Sequence, residues 1–388
     1  MKAISILHVF DCYLPETENW AYRMLKSIPD TEIRVAAIRF NGKFQDKDFS
    51  FYRFPLNPFR YATTFFGTVL IPGLIKPLYP YYLRNRMQSP DIIHAHFANT
   101  SYFFLKLKKL FNRPFVISFY GFDYGALPAA TERWKERYQK LFNEADLFLC
   151  EGAAGVQLLE AQGCPAEKIG IARIGVEIER IPFFKRIKHP CRLNLLQVAT
   201  FRKKKGHRDT IAAFAAALKE CPHMHLTLVG EDSGDGTREE VLTKITRMGI
   251  GDHITIIDKI DYTHLHLFMK DFDVFIQPSC FTEECDCEGG APVALLDAQA
   301  TGLPVIATQH CDIPEVVLHG HTGLLAPEHD IVMLTEHIKA FYYMDGAAYD
   351  RYSEQARAHV QHSYNARICG VRLRRWYEKL LNKGCYVP

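Results

Sequence analysis

Short apolar runs alternate along the chain with longer stretches of helical periodicity. The runs are hydrophobic throughout rather than at every second position, which is typical of strands covered on both faces. Between them, apolar residues recur every three or four positions, as on the buried side of a helix. The predicted strands are 5–10, 33–38, 92–96, 115–118, 147–150, 193–198, 225–229, 254–257, 274–277 and 305–307, and helices are predicted at 134–143, 208–219, 238–247, 293–301 and 366–381.

Strands that alternate with helices predict parallel sheets with helices on both faces. Between about 174 and 190, prolines and clustered charge follow no clear period. We therefore predict an α/β chain of two doubly wound parallel-sheet domains, over 1–180 and 190–362, joined by a linker. The final segment, 363–388, is predicted to be mainly an amphipathic, basic helix that packs back on the N-terminal domain.

Composition favours a globular protein and argues against a nucleic-acid-binding, membrane-spanning or secreted one. The 388 residues are 48% hydrophobic, enough to bury a core, and the net charge of +3 is too balanced to indicate nucleic-acid binding. No apolar run reaches the roughly 18 residues needed to span a membrane, and the apolar start is too short for a signal peptide. Eleven scattered cysteines fit reduced thiols better than a disulfide framework. We expect a cytoplasmic protein.

The segment 49–90 contains no Asp or Glu but is rich in aromatic residues and carries five basic ones. Basic residues interleaved with aromatic ones suit the interface of a membrane that carries anionic lipid. The protein would then be peripheral on the inner face of the membrane. An ordinary buried insertion with a solvated basic edge is the alternative, and both interpretations stay open.

The strongest chemical signal is the loop, helix and strand predicted over 288–308. Glycines in the loop let backbone N–H groups approach a ligand, and a helix N-terminus attracts phosphate. Pro292 suits the first position of the helix. Glu288 in the loop and Asp297 in the helix add two carboxylates, one for sugar hydroxyls and one for ribose hydroxyls. The unit therefore predicts a nucleotide-sugar site, although a plain loop–helix–strand unit with surface acids has the same pattern.

A second signal is the basic cluster that follows the strand 193–198. Arg202 and three consecutive lysines, 203–205, precede Gly206 at the entry to a helix. Such a cluster can neutralise a diphosphate. A solvated run of charge is the alternative.

Residues 288–308 resemble the signature of retaining GT-B glycosyltransferases of family four, in particular bacterial polysaccharide enzymes of the colanic-acid type. The resemblance extends over 275–279, 311–317 and 320–325. It implies two Rossmann-like domains facing a central cleft, a donor bound mainly by the C-terminal half, and chemistry that needs no divalent metal or other cofactor. Two departures stand out: the second acid is Asp297 rather than Glu, and eight residues instead of seven separate the two acids.

The same resemblance assigns further donor-site residues. Lys205 and Gly206 match the family's Lys-Gly, whereas Thr200 occupies the position of the family's arginine, so Arg202 is expected to replace it. Lys205, Arg202 and Glu288 are then the predicted catalytic residues. The predicted donor-binding residues are Gly230, Ile260, Gly289, Gly290, Ala291, Pro292, Val293 and Asp297.

In the N-terminal half, the strand 92–96 resembles the family's strand ending in His-x-His. Tyr120 stands where many relatives carry a histidine of the catalytic site. His96 is also a candidate for an ordinary packed residue. The predicted acceptor-site residues are His96, Tyr120, Asp123, Glu16 and Thr17.

These features predict retaining transfer of a hexose from a nucleoside diphosphate to a hydroxyl of a saccharide or lipid-linked saccharide acceptor. The leaving phosphate would take the acceptor proton, so no dedicated base is expected. A sugar-nucleotide epimerase or hydrolase on the same fold, or a nucleotide-sugar-binding protein with little catalysis, stays open. Cys280, Cys285 and Cys287 lie among acids, but their spacing matches no zinc finger, and no metal site is predicted.

Overall fold

Two separate parallel sheets organise the chain. The structure is a computed structural model that describes residues 3–13, 19–40, 49–53 and 76–383. The chain divides into a first unit, Met1–Arg173 with Cys369–Pro388, and a second unit, Ile174–Ile368. Each unit holds one sheet, which confirms the predicted α/β class with two doubly wound parallel sheets.

The described part of the first unit contains a seven-stranded sheet. Its order is β3-β2-β1-β4-β5-β6-β7, so the chain reverses its direction of growth between β1 and β4. All neighbouring strands are parallel, and β1 is buried almost throughout because it lies in the middle of the sheet. The strands are β1 (Ile4–Tyr13), β2 (Thr31–Phe40), β3 (Ser50–Arg53), β4 (Ile92–His96), β5 (Phe115–Ser118), β6 (Leu147–Cys150) and β7 (Ile169–Ile171).

Helices of the first unit follow its strands. Several are amphipathic, such as the 13-residue helix that buries Tyr138, Leu141 and Phe142. Numbered over the described residues, they are α1 (Asn19–Ser27), α2 (Tyr79–Arg86), α3 (Ala98–Phe104), α4 (Lys106–Phe111), α5 (Gly121–Tyr124), α6 (Ala126–Ala130), α7 (Glu132–Glu144) and α8 (Ala153–Ala161).

The second unit has a six-stranded parallel sheet in the order β10-β9-β8-β11-β12-β13. Its reversal lies between β8 and β11, so the loops that follow these two strands leave the sheet side by side. The strands are β8 (Leu193–Val198), β9 (Met224–Val229), β10 (Ile254–Ile257), β11 (Val274–Gln277), β12 (Val305–Thr308) and β13 (Gly323–Ala326). The helices are α9 (His207–Leu218), α10 (Thr237–Met248), α11 (Tyr262–Phe268), α12 (Val293–Ala300), α13 (Ile313–Val316), α14 (Ile331–Tyr343) and α15 (Gly346–Ser363).

The last helix, α16 (Ala366–Lys383), belongs to the first unit from Cys369 onward. Arg374 donates to the carbonyls of Pro29 and Asp30. The indole of Trp376 donates to the carbonyl of Ile171, 2.9 Å away. These bonds fasten the helix to the turn that precedes β2 and to the edge strand β7. Across the described ranges, no helix combines the length and the apolar character required to cross a membrane.

The aromatic and basic segment 49–90 is described only at its ends. Ser50–Arg53 form the edge strand β3, and Tyr79–Arg86 form helix α2. Tyr79 is buried and donates its hydroxyl to the carbonyl of Ala37, whereas Tyr81 is 48% exposed. The segment therefore contributes both to the core of the first unit and to its surface.

Candidate active site

The loops that leave β8 and β11 meet at the point where the strand order of the second sheet reverses. In open α/β sheets, ligands bind outside the carboxyl ends of the strands at such a point. The loop after β8 carries a 3-10 turn at Lys203–Lys205, and the loop after β11 runs to the start of α12. The backbone N–H of Cys280 donates to the carbonyl of Lys204, 3.0 Å away, which joins the two loops.

Three consecutive lysines of the first loop pair with every second residue of the other loop. Each ammonium lies within 3.0 Å of its carboxylate, and the exposed fraction of the carboxylate side chain falls from the first pair to the last. The pairs are Lys203–Glu284 at 2.8 Å, Lys204–Asp286 at 3.0 Å and Lys205–Glu288 at 2.7 Å. This ladder fixes the register of the acidic loop against the basic turn.

The innermost pair is shielded from solvent. The side chains of Lys205 and Glu288 are 19% and 6% exposed. Burial alone would raise the pKa of Glu288, but the charges of Lys205 and Lys204 and the hydroxyl of Ser279 outweigh it and hold the pKa at about 2. Glu288 is therefore ionised at neutral pH, and its charge neutralises that of Lys205.

Glycine is required by the packing of these loops. Gly206 has a φ of +69°, and a Cβ there would lie 1.8 Å from the carbonyl oxygen of Pro278. A Cβ on Gly230, which follows β9, would lie 1.9 Å from the carbonyl oxygen of Ala199. Both glycines thus allow two backbones of the protein to pass close together. The predicted donor contact of Gly230 stays a prediction beside this structural role.

The loop before α12 is held by a buried histidine. The N–H of Glu288 donates to Nε2 of His310, 3.0 Å away, and Nδ1 of His310 lies 2.7 Å from Glu328. His310 therefore accepts through Nε2 and carries its proton on Nδ1. Gly289 has a φ of +76°, a conformation that favours glycine. Gly290 and Pro292 are buried, Ala291 and Val293 are half-buried, and Pro292 caps the helix rather than forming its first residue.

Asp297 lies inside α12 and is only 2% exposed. One of its oxygens, Oδ1, accepts from the hydroxyl of Tyr262 at 2.7 Å and lies 2.9 Å from Nε2 of His266. Both partners stand on α11, which follows Ile260, a half-buried residue packed on the apolar core. The structure thus brings Asp297 and Ile260 to the same region of the second unit. The role of Asp297 toward ribose stays a prediction.

Arg202 directly precedes the turn of lysines, and it is exposed. Its carbonyl accepts from the N–H of Lys205, 3.0 Å away, so the two residues belong to one tight turn. The structure therefore places all three predicted catalytic residues, Lys205, Arg202 and Glu288, around the loops after β8 and β11.

The predicted acceptor residues of the first unit gather at the corresponding edge of its sheet. His96 ends β4, Tyr120 follows β5, and Nδ1 of His96 lies 2.9 Å from the Tyr120 hydroxyl. Asp123 is fully buried, and its two oxygens accept from the N–H groups of Ala98 and Tyr120. Its visible role is to hold the loops after β4 and β5 together. Glu16 and Thr17 lie outside the described residues.

One group of potential metal ligands occurs in the described ranges: His8, His94 and His96, all buried in the first unit. The nitrogens of His94 already bond to the hydroxyls of Tyr377 and Ser118. Two acids near Cys280, Cys285 and Cys287 pair with lysines: Glu284 with Lys203 and Asp286 with Lys204. The sequence interpretation missed His8, His310 and the pair Tyr262 and His266, because each acts through a partner distant in sequence.

Two family models together match most of the chain. The glycosyltransferase family 4 model matches residues 18–180, and the model of glycosyl transferases group 1 matches residues 182–359. The chain belongs to these glycosyltransferase families. The residues of the second match include Lys205, Glu288 and Asp297, and those of the first include His96 and Tyr120.

Named relatives and solved structures agree with this membership. WcaL of Escherichia coli strain K12, a protein named for colanic acid biosynthesis, is 29% identical over 72% of this chain and 68% of its own length. The amylovoran biosynthesis glycosyltransferase AmsK of Erwinia amylovora is 31% identical over 62% of this chain, and the match spans only 58% of AmsK. Anabaena Alr3699/HepE, solved with UDP and glucose, superposes with a TM-score of 0.76 at 15% identity, covering 97% of this chain and 100% of that one. The likeness confirms the GT-B fold.

Proposed function

We propose that this glycosyltransferase is a retaining enzyme that moves a hexose from a nucleoside-diphosphate sugar to a hydroxyl of a saccharide or lipid-linked saccharide, in the biosynthesis of a cell-surface polysaccharide. The observation that carries the proposal is the shielded Lys205–Glu288 pair at the reversal of the second sheet. The names of WcaL and AmsK support a polysaccharide product.

The donor's diphosphate would bind where Lys205, Arg202 and the N-terminus of α12 converge. Positive charge fixed in place before the reaction stabilises the negative charge that develops on a leaving diphosphate. The Lys205 ammonium donates to Glu288, and in this proposal it exchanges that partner for the phosphate. Glu288, released from Lys205, is then placed to accept hydrogen bonds from hydroxyls of the donor sugar.

The remaining residues of the site have supporting roles in this proposal. Tyr262 and His266 fix Asp297 for the ribose of the donor. The leaving phosphate takes the proton of the acceptor hydroxyl on the same face of the sugar, so no side chain acts as a base. No metal enters the scheme.

We would test the proposal with a panel of UDP-, GDP- and ADP-linked hexoses. Each donor is assayed with and without an alkyl glycoside as acceptor. We expect one donor to raise the melting temperature and to release nucleoside diphosphate faster when an acceptor is present. Equal release without an acceptor would favour a hydrolase or epimerase, and binding without turnover would favour a binding protein. The anomeric configuration of the product, measured by proton NMR, tests retention: an inverted product would contradict it.

We also propose that the first unit contacts anionic lipid through a surface formed by α2 and α4, at the cytoplasmic face of the membrane. Leu78 and Tyr81 are 58% and 48% exposed. Lys106 lies over the Tyr81 ring, and Arg86 lies over the Tyr82 ring. Exposed apolar groups flanked by cations suit an anionic interface.

Co-sedimentation with vesicles tests the lipid contact. The protein should bind phosphatidylglycerol vesicles in a salt-sensitive way and bind phosphatidylcholine vesicles much less. The double substitution Tyr81→Ser with Arg86→Gln should abolish the difference, whereas Lys339→Gln, on a helix of the second unit, should leave it unchanged. Equal binding of the wild-type protein to both vesicles would contradict the proposal.

A further inference from the structure

A buried chain of hydrogen bonds leads from the core of the first unit to Tyr120. Nδ1 of His8 lies 3.0 Å from Nε2 of His96, and Nδ1 of His96 lies 2.9 Å from the hydroxyl of Tyr120. His8 and His96 are completely buried, and Tyr120 is 7% exposed. His8 stands on β1 and His96 on β4, the two strands between which the order of the first sheet reverses. The chain of hydrogen bonds therefore ends at the sheet edge where such folds bind ligands.

The imidazole of His96 is fixed in orientation. It stacks on Phe10 with a centroid distance of 4.2 Å and an angle of 3° between the planes, and it stacks on His94 at 4.4 Å. The next residue, Phe97, has a φ of +68° and packs its ring on Tyr120. A non-glycine residue with this φ is strained, and such strain clusters at functional sites. The packing holds the His96 ring so that its two nitrogens address His8 and Tyr120.

The protons along this chain have only two consistent arrangements. Burial lowers the pKa of His8 and His96 well below the usual value, so each ring is neutral and carries one proton. In one arrangement His8 donates to His96 and His96 donates to Tyr120. In the other, Tyr120 donates to His96 and His96 donates to His8, which then carries its proton on Nε2.

The surroundings of His8 select between the two arrangements. Nε2 of His8 is buried and has no hydrogen-bond partner in the structure. An N–H buried without an acceptor is rarer and costlier than an acceptor that lacks a donor. His8 therefore carries its proton on Nδ1, and the whole chain points toward Tyr120.

We propose that His8 and His96 are positioning residues that set the Tyr120 hydroxyl as a hydrogen-bond donor toward an oxygen of the bound saccharide. Tyr120 oxygen accepts from His96, so its own proton is directed to another acceptor. The inference rests on the proposed function, because it takes the ligand of this edge to be a saccharide. It adds His8, which has no expected contact with any substrate.

The direction in which these hydrogen bonds donate can be measured without an assay of enzyme activity. Long-range proton–nitrogen NMR spectra of protein labelled with ¹⁵N-histidine distinguish the two neutral tautomers, and the variants His8→Asn and His96→Asn assign the signals. We expect both His8 and His96 to be protonated on Nδ1 at pH 7.5. A proton on Nε2 of either ring, a charged ring, or a metal-bound ring would overturn the proposal.

Kinetics then test whether the chain acts through Tyr120. With the donor and alkyl glycoside that give the highest turnover in the panel above, His8→Phe should raise the acceptor KM by about tenfold. His8→Asn, whose amide can replace the Nδ1 donor, should restore most of the loss. In a Tyr120→Phe background, His8→Phe should have no further effect.

His94→Phe is the matched control, because His94 is equally buried but bonds to Tyr377 and Ser118 instead, and a phenyl ring keeps the stacking on His96. Its effect should be additive with that of Tyr120→Phe. Additivity for His8→Phe as well would defeat the proposal while leaving the glycosyltransferase function intact. If the wild-type protein transferred no sugar, the proposed function would fail, and the tautomer spectra would still decide the direction of the chain.

Discussion

The ammonium of Lys205 lies 2.7 Å from the carboxylate of Glu288, although 83 residues separate them in the sequence. The pair joins the loop after β8 to the loop after β11, and both side chains are largely shielded from water. A diphosphate that binds here must compete with a carboxylate that the protein itself supplies.

Replacing Lys205 by Ala should lower the rate of sugar transfer by about 100-fold or more, because a fixed charge on the leaving group is lost. Lys203→Ala is the comparison, since Lys203 pairs with Glu284 at the exposed end of the ladder. Exposed pairs contribute little, so this variant should lose less than about threefold. Steady-state release of nucleoside diphosphate measures both, and equal losses in the two variants would remove the special role of Lys205.

Glu288→Gln should separate binding from catalysis. Without the carboxylate, Lys205 is free to meet phosphate, so UDP, GDP or ADP should bind several-fold more tightly by calorimetry. Transfer should nevertheless slow, because the group proposed to hold the donor sugar is weakened. Weaker binding of the nucleoside diphosphate would show that Glu288 does not compete for Lys205.

Gly206→Ala should destabilise the second unit. The added Cβ would overlap the carbonyl of Pro278, in addition to the strain of the positive φ. Gly249→Ala isolates the strain, because Gly249 has a φ of +65° and nothing lies within 4 Å of the added Cβ. We expect Gly206→Ala to lose at least about 2 kcal/mol more in the free energy of unfolding than Gly249→Ala. Similar calorimetric losses would mean that the loops separate easily.

The first unit should lose stability in mild acid. Burial lowers the pKa of His8 and His96 well below 6.5 and that of His94 to about 3. Below pH 6.5 the unfolded chain binds protons that the folded chain does not, so the free energy of unfolding falls as the pH drops toward 3. Three such groups give a slope that approaches roughly 4 kcal/mol per pH unit.

Tryptophan fluorescence during urea unfolding reports this loss selectively, since all three tryptophans, Trp20, Trp134 and Trp376, belong to the first unit. His8→Phe should reduce the slope by about a third, as one of three such groups is removed. A free energy of unfolding that stays constant between pH 7 and pH 5 would contradict neutral, buried histidines.

The sequence predicts the inner strands well and misses three outer ones. Strands such as Leu193–Val198 and Val274–Gln277 are covered on both faces and therefore appear as continuous apolar runs. All three missed strands lie at sheet edges: Ser50–Arg53, Ile169–Ile171 and Gly323–Ala326. They are three or four residues long, and two of them contain glycine, so their pattern is weak.

The residues of the candidate site likewise divide into those that the sequence predicts and those that it misses. Lys205, Gly206 and the loop at Glu288 carry local motifs, and the sequence identifies them. The His8–His96 bond and the support of Asp297 by His266 depend on which strands and helices become neighbours, which no local pattern contains. The available signal for the buried hydrogen-bond chain was that two predicted apolar strands, 5–10 and 92–96, each contain histidine.

The central claim is that the diphosphate of the donor displaces Glu288 from Lys205. A crystal structure with whichever of UDP, GDP and ADP stabilises the protein most tests it directly. We expect Nζ of Lys205 to lie within hydrogen-bonding distance of a β-phosphate oxygen, with Glu288 turned away from it. A nucleotide whose diphosphate lies elsewhere, while Lys205 and Glu288 remain 2.7 Å apart, would contradict the account.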